Sequence, residues 1–361
     1  MENINTYLES RRGKRITVFD PFNDVDAMIL ARFSYLPFHR IKVEKKETVS
    51  SICAKMIDKL TIDDFMWPDD FRYVRLMILS KRFSNMKVTN YVRNNSKSAE
   101  RQFSAVTIHI NHFEMYLSFF GTDDTLVGWK EDFNLAFLDV IPAQKEGTKY
   151  VEMIHELYPT KIMRLGGHSK GGNIAMYAAI TSPDAYQRKM FRIYNFDGPG
   201  LRKGTAALDV GTEKVLRKIR SFIPQGSIIG RLFEHKEKVY VVKSIGKNIY
   251  QHDIYTWMID GKKIVPSSTT KASDLADRTI TKWLESASKE ERKVFINSLF
   301  KVFSSANVNT PLELKAHWLK ATPTMLKTFY SLPKEKKKVI FEVWKKLGSS
   351  FLKARKENDA N

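Results

Sequence analysis

Arg164-Leu165-Gly166-Gly167-His168-Ser169-Lys170-Gly171-Gly172-Asn173-Ile174-Ala175-Met176-Tyr177-Ala178-Ala179 reads as the end of a strand, a sharp turn carrying a serine, and a helix. Gly167, Ser169 and Gly171 fill the pattern Gly-x-Ser-x-Gly. In that pattern the serine sits on a strained strand-to-helix turn, and a Cβ on either side would crowd neighbouring backbone. The flanks supply the context the motif needs. Lys161 to Leu165 is short and apolar enough for a buried strand, and Asn173 to Ile180 is a helix of small residues that can pack close to a sheet.

Working outward, the runs Ala105 to Ile110 and Glu114 to Phe120 predict two adjacent strands, and Trp129 to Phe137 and Lys145 to Leu157 predict helices before the elbow strand. After it come a strand over Phe191 to Phe196, a strand or helix end over Val215 to Ile223, and a strand over Val239 to Lys243. This alternation argues for a mostly parallel central sheet with helices on its faces. Upstream, Asp20-Pro21-Phe22-Asn23-Asp24-Val25-Asp26 reads as a turn and cap for a helix over Ala27 to Leu36 that Pro37 stops. Lys42 to Lys97 reads as a helix-prone layer broken at Trp67-Pro68. From about Ser267 the pattern is helical throughout: Ala272 to Ser286, Lys289 to Phe303, Pro311 to Leu319 and Lys334 to Leu352. The expected organisation is an α/β domain over 1–265 and a basic helical appendage over 266–361.

The 361 residues suffice for such a core, and the single cysteine, Cys53, excludes an internal disulfide and leaves no cysteine pair for a metal site. No cofactor is called for. The first residues lack the basic-then-apolar order of a secretion signal, and no apolar run approaches the ~20 residues needed to span a bilayer, so a soluble cytoplasmic protein is expected. The formal net charge of +20 is concentrated in part in the tail, at Lys334-Glu335-Lys336-Lys337-Lys338 and Lys353-Ala354-Arg355-Lys356. Such charge suits anionic surfaces, though lysine runs on helices are commonly solvated faces. Basic helices with apolar faces fit an anionic membrane surface. Nucleic acid fits less well, because basic and aromatic residues do not interleave as base stacking requires.

A serine hydroxyl is a poor nucleophile near neutral pH, so a reactive Ser169 needs a base, an acid to orient it, and donors for the oxyanion. In the chain order serine, acid, histidine, the base is limited to His235, His252 or His317. His252, in the polar loop Asn248-Ile249-Tyr250-Gln251-His252-Asp253 after a late strand, is the choice. His235 sits in a charged turn that reads as solvated surface, and His317 lies beside Trp318 on an appended helix. For the acid, Asp197 ends the run Phe191 to Phe196 and precedes Gly198-Pro199-Gly200, which puts it at the carboxyl end of a strand, where catalytic groups gather. Asp253 and Glu234 are its rivals, and the competing reading of Asp197 is a cap of its own turn that bonds backbone amides. The oxyanion hole is expected from the amide of Lys170 and one in the loop Gly121-Thr122-Asp123-Asp124, with Thr122 as the donor.

Phe119-Phe120-Gly121-Thr122-Asp123 and Gly167-His168-Ser169-Lys170-Gly171-Gly172 resemble the two signature segments of class 3 lipases of the α/β-hydrolase fold. The segments Asp20 to Asp26, Gly128-Trp129-Lys130-Glu131-Asp132-Phe133, Tyr194-Asn195-Phe196-Asp197-Gly198-Pro199-Gly200 and Gln251-His252-Asp253 are similar to an uncharacterised bacterial family of lipase-like hydrolases, over roughly the first 260 residues. The resemblance implies Ser169 as nucleophile, His252 as base and Thr122 in the oxyanion hole. It departs at one place: class 3 lipases carry their acid about where this chain reads Gln225-Gly226-Ser227-Ile228-Ile229-Gly230, which holds no carboxylate. Three readings stay open: Asp197 acts from the preceding strand end, the site is a dyad, or it is inactive.

The leading expectation is a serine hydrolase, esterase-like or lipase-like, that cleaves carboxylic or lipid esters through an acyl-enzyme. The alternative is a catalytically inactive hydrolase-fold protein whose basic surface binds an anionic membrane, nucleic acid or a protein.

Overall fold

A computed structural model describes residues 2–96, 98, 100–123, 126–202, 213–305 and 318–359. An eight-stranded sheet runs in strict chain order: β1 (Glu47–Thr48), β2 (Lys87–Ser96), β3 (Arg101–His109), β4 (Glu114–Phe119), β5 (Ile162–His168), β6 (Met190–Phe196), β7 (Ile219–Pro224) and β8 (Lys238–Val242). β1 pairs with β2 and β3 with β4 antiparallel, and from β4 to β8 every pairing is parallel. This is an α/β fold with a mostly parallel sheet, and helices follow it at the C-terminal end of the chain.

The parallel strands are buried on both faces, as β5 with its pattern of six buried residues illustrates. Successive residues of a strand point to opposite faces. At Gly166 a Cβ would strike the Tyr116 ring, whose hydroxyl donates to the carbonyl of Ala27 in the helix Asp24–Phe33. At Gly167 a Cβ would meet the backbone of Gly171 in the helix Lys170–Thr181. Hence the two helices cover opposite faces of β5. The first is capped by the Asn23 side chain, and the Asn23 amide donates in return to Asp26 Oδ2 at 2.9 Å. It ends at Phe33, four residues ahead of Pro37.

One expectation is corrected. Lys87–Ser96 is a strand and not part of a helical layer; of its ten residues only Val88 is buried, so it lacks the apolar alternation that marks a strand. The break at Trp67-Pro68 falls between the helices Val49–Lys59 and Pro68–Leu79, the second opening on proline where its missing N–H costs nothing. Most of the helix expected over Pro311 to Leu319 lies outside the described residues, as does His317.

The chain divides into two compact units. The first comprises residues 1–95, 103–121 and 143–269 and contains the core in which Met28, Phe33, Ile108, Tyr116, Phe196 and Trp257 are buried together. The second comprises 96–102, 122–142 and 270–361. In it the helices Lys271–Ser286 and Lys289–Ser304 pack against Lys334–Asp359, and Leu126–Asn134 packs against Lys289–Ser304. No helix among the described residues is long and apolar enough to cross a membrane.

Candidate active site

β5 ends at His168, and Ser169 turns the chain into the helix Lys170–Thr181 with φ 57° and ψ −133°. A non-glycine residue with positive φ is strained, and such strain persists only where the surroundings hold it. Ser169 donates its amide to the Phe196 carbonyl of β6 at 2.9 Å, and its own carbonyl accepts from the Gly172 amide at 2.9 Å. The glycines are required by close approach: a Cβ at Gly167 would lie 2.6 Å from the Phe119 carbonyl, and one at Gly171 would collide with that same oxygen. The turn is therefore pressed against the end of β4, as a nucleophile elbow requires.

Asp197 leaves the next strand end, β6, in the left-handed region with φ 52°. Its carboxylate is buried, and His252 Nδ1 lies 2.6 Å from Oδ2. Ser227, beyond the end of β7, donates its hydroxyl to Oδ1 at 2.5 Å and accepts the Gly230 amide at 2.9 Å. A carboxylate accepts, so Nδ1 of His252 carries the proton and Nε2 of the neutral ring keeps its lone pair. That is the tautomer a general base needs.

His252 closes a single turn, Asn248–His252, that is pinned from three sides. The buried Trp257 donates from Nε1 to the Gln251 carbonyl at 2.9 Å, and the Gly226 amide donates to Gln251 Oε1 at 2.9 Å. His168 donates from Nε2 to the His252 carbonyl at 2.7 Å, and the two imidazoles lie with centroids 4.5 Å apart. Burial pushes His168 well below the usual imidazole range, and the nearby His252 and Arg32 add to this against the favourable hydrogen bond. The ring beside the base is thus neutral, and placing it there, tilted 35° to His252, costs no charge repulsion.

The acid turn is tied to the elbow helix by side-chain amides. Asn173 Nδ2 donates to the carbonyls of Pro199 at 3.1 Å and Gly200 at 2.9 Å, and Gln144 Nε2 donates to Asn173 Oδ1 at 2.8 Å. Asn195 bonds both the amide and the carbonyl of Gly198, at 2.8 and 2.9 Å. Beneath the elbow, the Tyr35 hydroxyl donates to the His168 carbonyl at 3.1 Å, and the Arg32 guanidinium lies 4.6 Å from the Tyr35 ring centroid. Burial disfavours charge on Arg32, but Asp70, bound by its Nε at 2.7 Å, more than offsets this and keeps the cation.

The structure thus brings Asp197 and His252 into contact and places Ser169 next to His168, on which His252 rests. Among the described residues no hydrogen bond joins the Ser169 hydroxyl to the His252 ring. Lys170 opens the elbow helix, where first-turn amides have no carbonyl partner within the helix. Thr122 belongs to the second unit, and its hydroxyl donates to Asp132 Oδ2. Gly121, just before it in the first unit, passes so close to the elbow that a Cβ there would lie 2.6 Å from the His168 carbonyl.

The rivals are placed elsewhere. Asp253 accepts from the Tyr255 amide at 2.9 Å and caps a turn. His235 is not solvated surface: its side chain is 10% exposed and Nδ1 lies 2.6 Å from Glu237 Oε1. Burial works against the Glu237 carboxylate, but His235 and the Ser221 hydroxyl hold it below the usual carboxylate range. Ser227 escaped the sequence reading, which sought a carboxylate at that strand end; the signal available was its position alone.

A family model described as Mbeg1-like matches residues 77–301. No curated protein matches the chain. Among solved structures, the chain is similar to the Lip2 lipase from Yarrowia lipolytica at 14% identity and a TM-score of 0.31, over 44% of this chain and 66% of that one. It is similar to lipase II from Rhizopus niveus at 17% identity and a TM-score of 0.33, over 44% of this chain and 67% of that one. A mutant form of MDLA from Penicillium cyclopium gives 14% identity and a TM-score of 0.38, over 66% of this chain and 83% of that one. The chain spans about two thirds of the length of the first two.

Proposed function

The chain belongs to the Mbeg1-like family, and we propose that it is a serine hydrolase in which Ser169 is the nucleophile, His252 the base and Asp197 the acid. The observation that carries this reading is the hydrogen bond of 2.6 Å between His252 Nδ1 and a buried aspartate one strand away from a serine at positive φ. A structural turn needs neither the strain nor the buried pair.

In the proposed mechanism the Ser169 hydroxyl attacks the carbonyl carbon of an ester while His252 Nε2 takes its proton. Asp197 stabilises the imidazolium and keeps its orientation. The amide of Lys170, at the start of the elbow helix, receives the developing oxyanion, an interaction worth about 3–4 kcal/mol per donor in such sites. Collapse expels the alcohol, which takes the proton from His252. Water then attacks the acyl-enzyme with His252 again as base, releasing the acid and restoring Ser169.

An apolar acyl group is the favoured substrate class. Ile228, Ile245, Ile249 and Tyr250 stand exposed on the loops that carry Ser227 and His252 and offer apolar surface there. Hydrolysis of p-nitrophenyl esters over a series of chain lengths tests this: activity that rises from acetate to longer chains and vanishes in Ser169→Ala supports it, and no turnover at any length contradicts it.

A second reading, a hydrolase-fold protein that binds without catalysis, draws on the absence of a hydrogen bond between the Ser169 hydroxyl and His252 among the described residues. Catalytic hydrogen bonds commonly tighten only with substrate bound. The same assay separates the two.

A further inference from the structure

The helix Lys334–Asp359 has two apolar stripes, one buried and one largely exposed, of which Trp344 and Phe341 each touch a ring of a neighbouring helix, Phe295 and Phe329, along one edge. Ile340, Val343, Ser350 and Ala354 are buried, at spacings that repeat every seven residues, and this face packs against Lys271–Ser286 and Lys289–Ser304. Phe341, Trp344, Phe351 and Leu352 form a second stripe at helical spacing, and all four are exposed, from 41% at Phe351 to 63% at Phe341. The stripe continues onto the helix Trp318–Ser331, where Leu326 and Tyr330 are exposed one turn apart. Phe329 joins the two helices through an edge contact with Phe341, centroids 6.2 Å apart. Single exposed apolar residues are ordinary, but six on two helices that touch through Phe329 and Phe341 point to an interaction site.

The charge around the patch indicates what covers it. The helix carries nine basic and four acidic side chains. Lys338, Lys345 and Lys353 are exposed along it and make no ion pair among the described residues, whereas Lys346, on the inner side, is held by Glu291 at 2.7 Å. A second copy of the chain would set these lysines against their own kind across a two-fold interface. Aromatic and leucine side chains ringed by lysines instead match the headgroup layer of an anionic bilayer, where the rings sit at the acyl boundary and the ammonium groups meet lipid phosphates.

We propose that the exposed face of Lys334–Asp359, with Leu326 and Tyr330, docks the protein on an anionic membrane surface. This site lies beyond residue 301, where the family match ends, and it does not rest on the hydrolase reading.

The test is co-sedimentation of the full chain carrying Ser169→Ala, so that lipid is not consumed, with vesicles of phosphatidylcholine alone or mixed equally with phosphatidylglycerol. Binding is expected to the mixed vesicles, to weaken in high salt, and to be slight with phosphatidylcholine. The double variant Phe341→Ser/Trp344→Ser and the charge variant Lys338→Glu/Lys345→Glu should each weaken it about tenfold or more. Both change exposed positions only, and an unchanged thermal midpoint verifies their fold. Brominated lipid should quench tryptophan fluorescence in the parent and quench it less in Trp344→Phe, which keeps the apolar surface. Equal partition onto both vesicle types, no partition, or variants that bind as the parent does would overturn the proposal. So would a concentration-dependent dimer, or binding to a duplex oligonucleotide, that the Phe341→Ser/Trp344→Ser variant abolishes while vesicle binding persists.

Discussion

Ser227 donates its hydroxyl to Oδ1 of Asp197 at 2.5 Å, on the opposite carboxylate oxygen from the one His252 takes at 2.6 Å. The strand end where the class 3 resemblance expects an acid therefore carries a neutral donor that orients the acid of the neighbouring strand. Geometrically this favours the first of the three open readings, with Asp197 working from the end of β6. Replacing Ser227 by alanine removes one charge-assisted hydrogen bond, worth about 1.5–3 kcal/mol, and strips the Gly230 amide of its acceptor. We expect kcat/KM on esters to fall roughly ten- to a hundredfold with the fold intact; an unchanged rate would mean that Ser227 does not hold the acid.

Asp197 combines a chemical role with a left-handed backbone at φ 52°, and two variants separate them. Asparagine tolerates this conformation, whereas alanine adds strain of about 1–2 kcal/mol. In Asp197→Asn the side-chain amide would face Nδ1 and force the ring into the tautomer with its proton on Nε2, unable to take the serine proton. The expected result is a loss of about 10⁴ in kcat with little change in thermal midpoint. Asp197→Ala should lose activity and also melt lower.

The half-buried His109 and the buried His168 predict acid sensitivity of the fold. Burial, with Lys161 and Lys87 nearby, lowers His109 to about 4, and burial lowers His168 well below its usual range. The folded protein therefore refuses protons that the unfolded chain accepts below about pH 6.5. The unfolded state binds more protons in this window, so stability rises with pH; on acidification it is lost from about 6.5 downward, for His109 until its folded value near 4 is passed. The thermal midpoint should drop between pH 7 and pH 4.5, and the drop should shrink in His109→Gln, whose side chain can still bond Thr89, the present partner of Nε2 at 2.9 Å. An equal drop in both proteins would remove His109 from the account.

Much of the site was legible because its parts sit where strand ends put them. The elbow shows in the spacing of Gly167, Ser169 and Gly171, Asp197 directly follows the apolar run that forms β6, and His252 lies in the polar loop after β8. What escaped depends on contacts between distant segments. Polar residues of β2 conceal a strand, because its pairing partners and not its own pattern place it in the sheet. The charged string Glu234-His235-Lys236-Glu237 reads as solvent-facing, yet Ser221 of β7 draws Glu237 inward and His235 with it. Nothing in the local sequence tells that Ser227 meets Asp197, thirty residues earlier.

An activated Ser169 should react with a fluorophosphonate probe, with the modified peptide identified by mass spectrometry. One adduct is expected, on the peptide containing Ser169, absent in Ser169→Ala and formed far more slowly in His252→Ala. A wild-type protein that takes no label, or takes it at another residue, would contradict that activation.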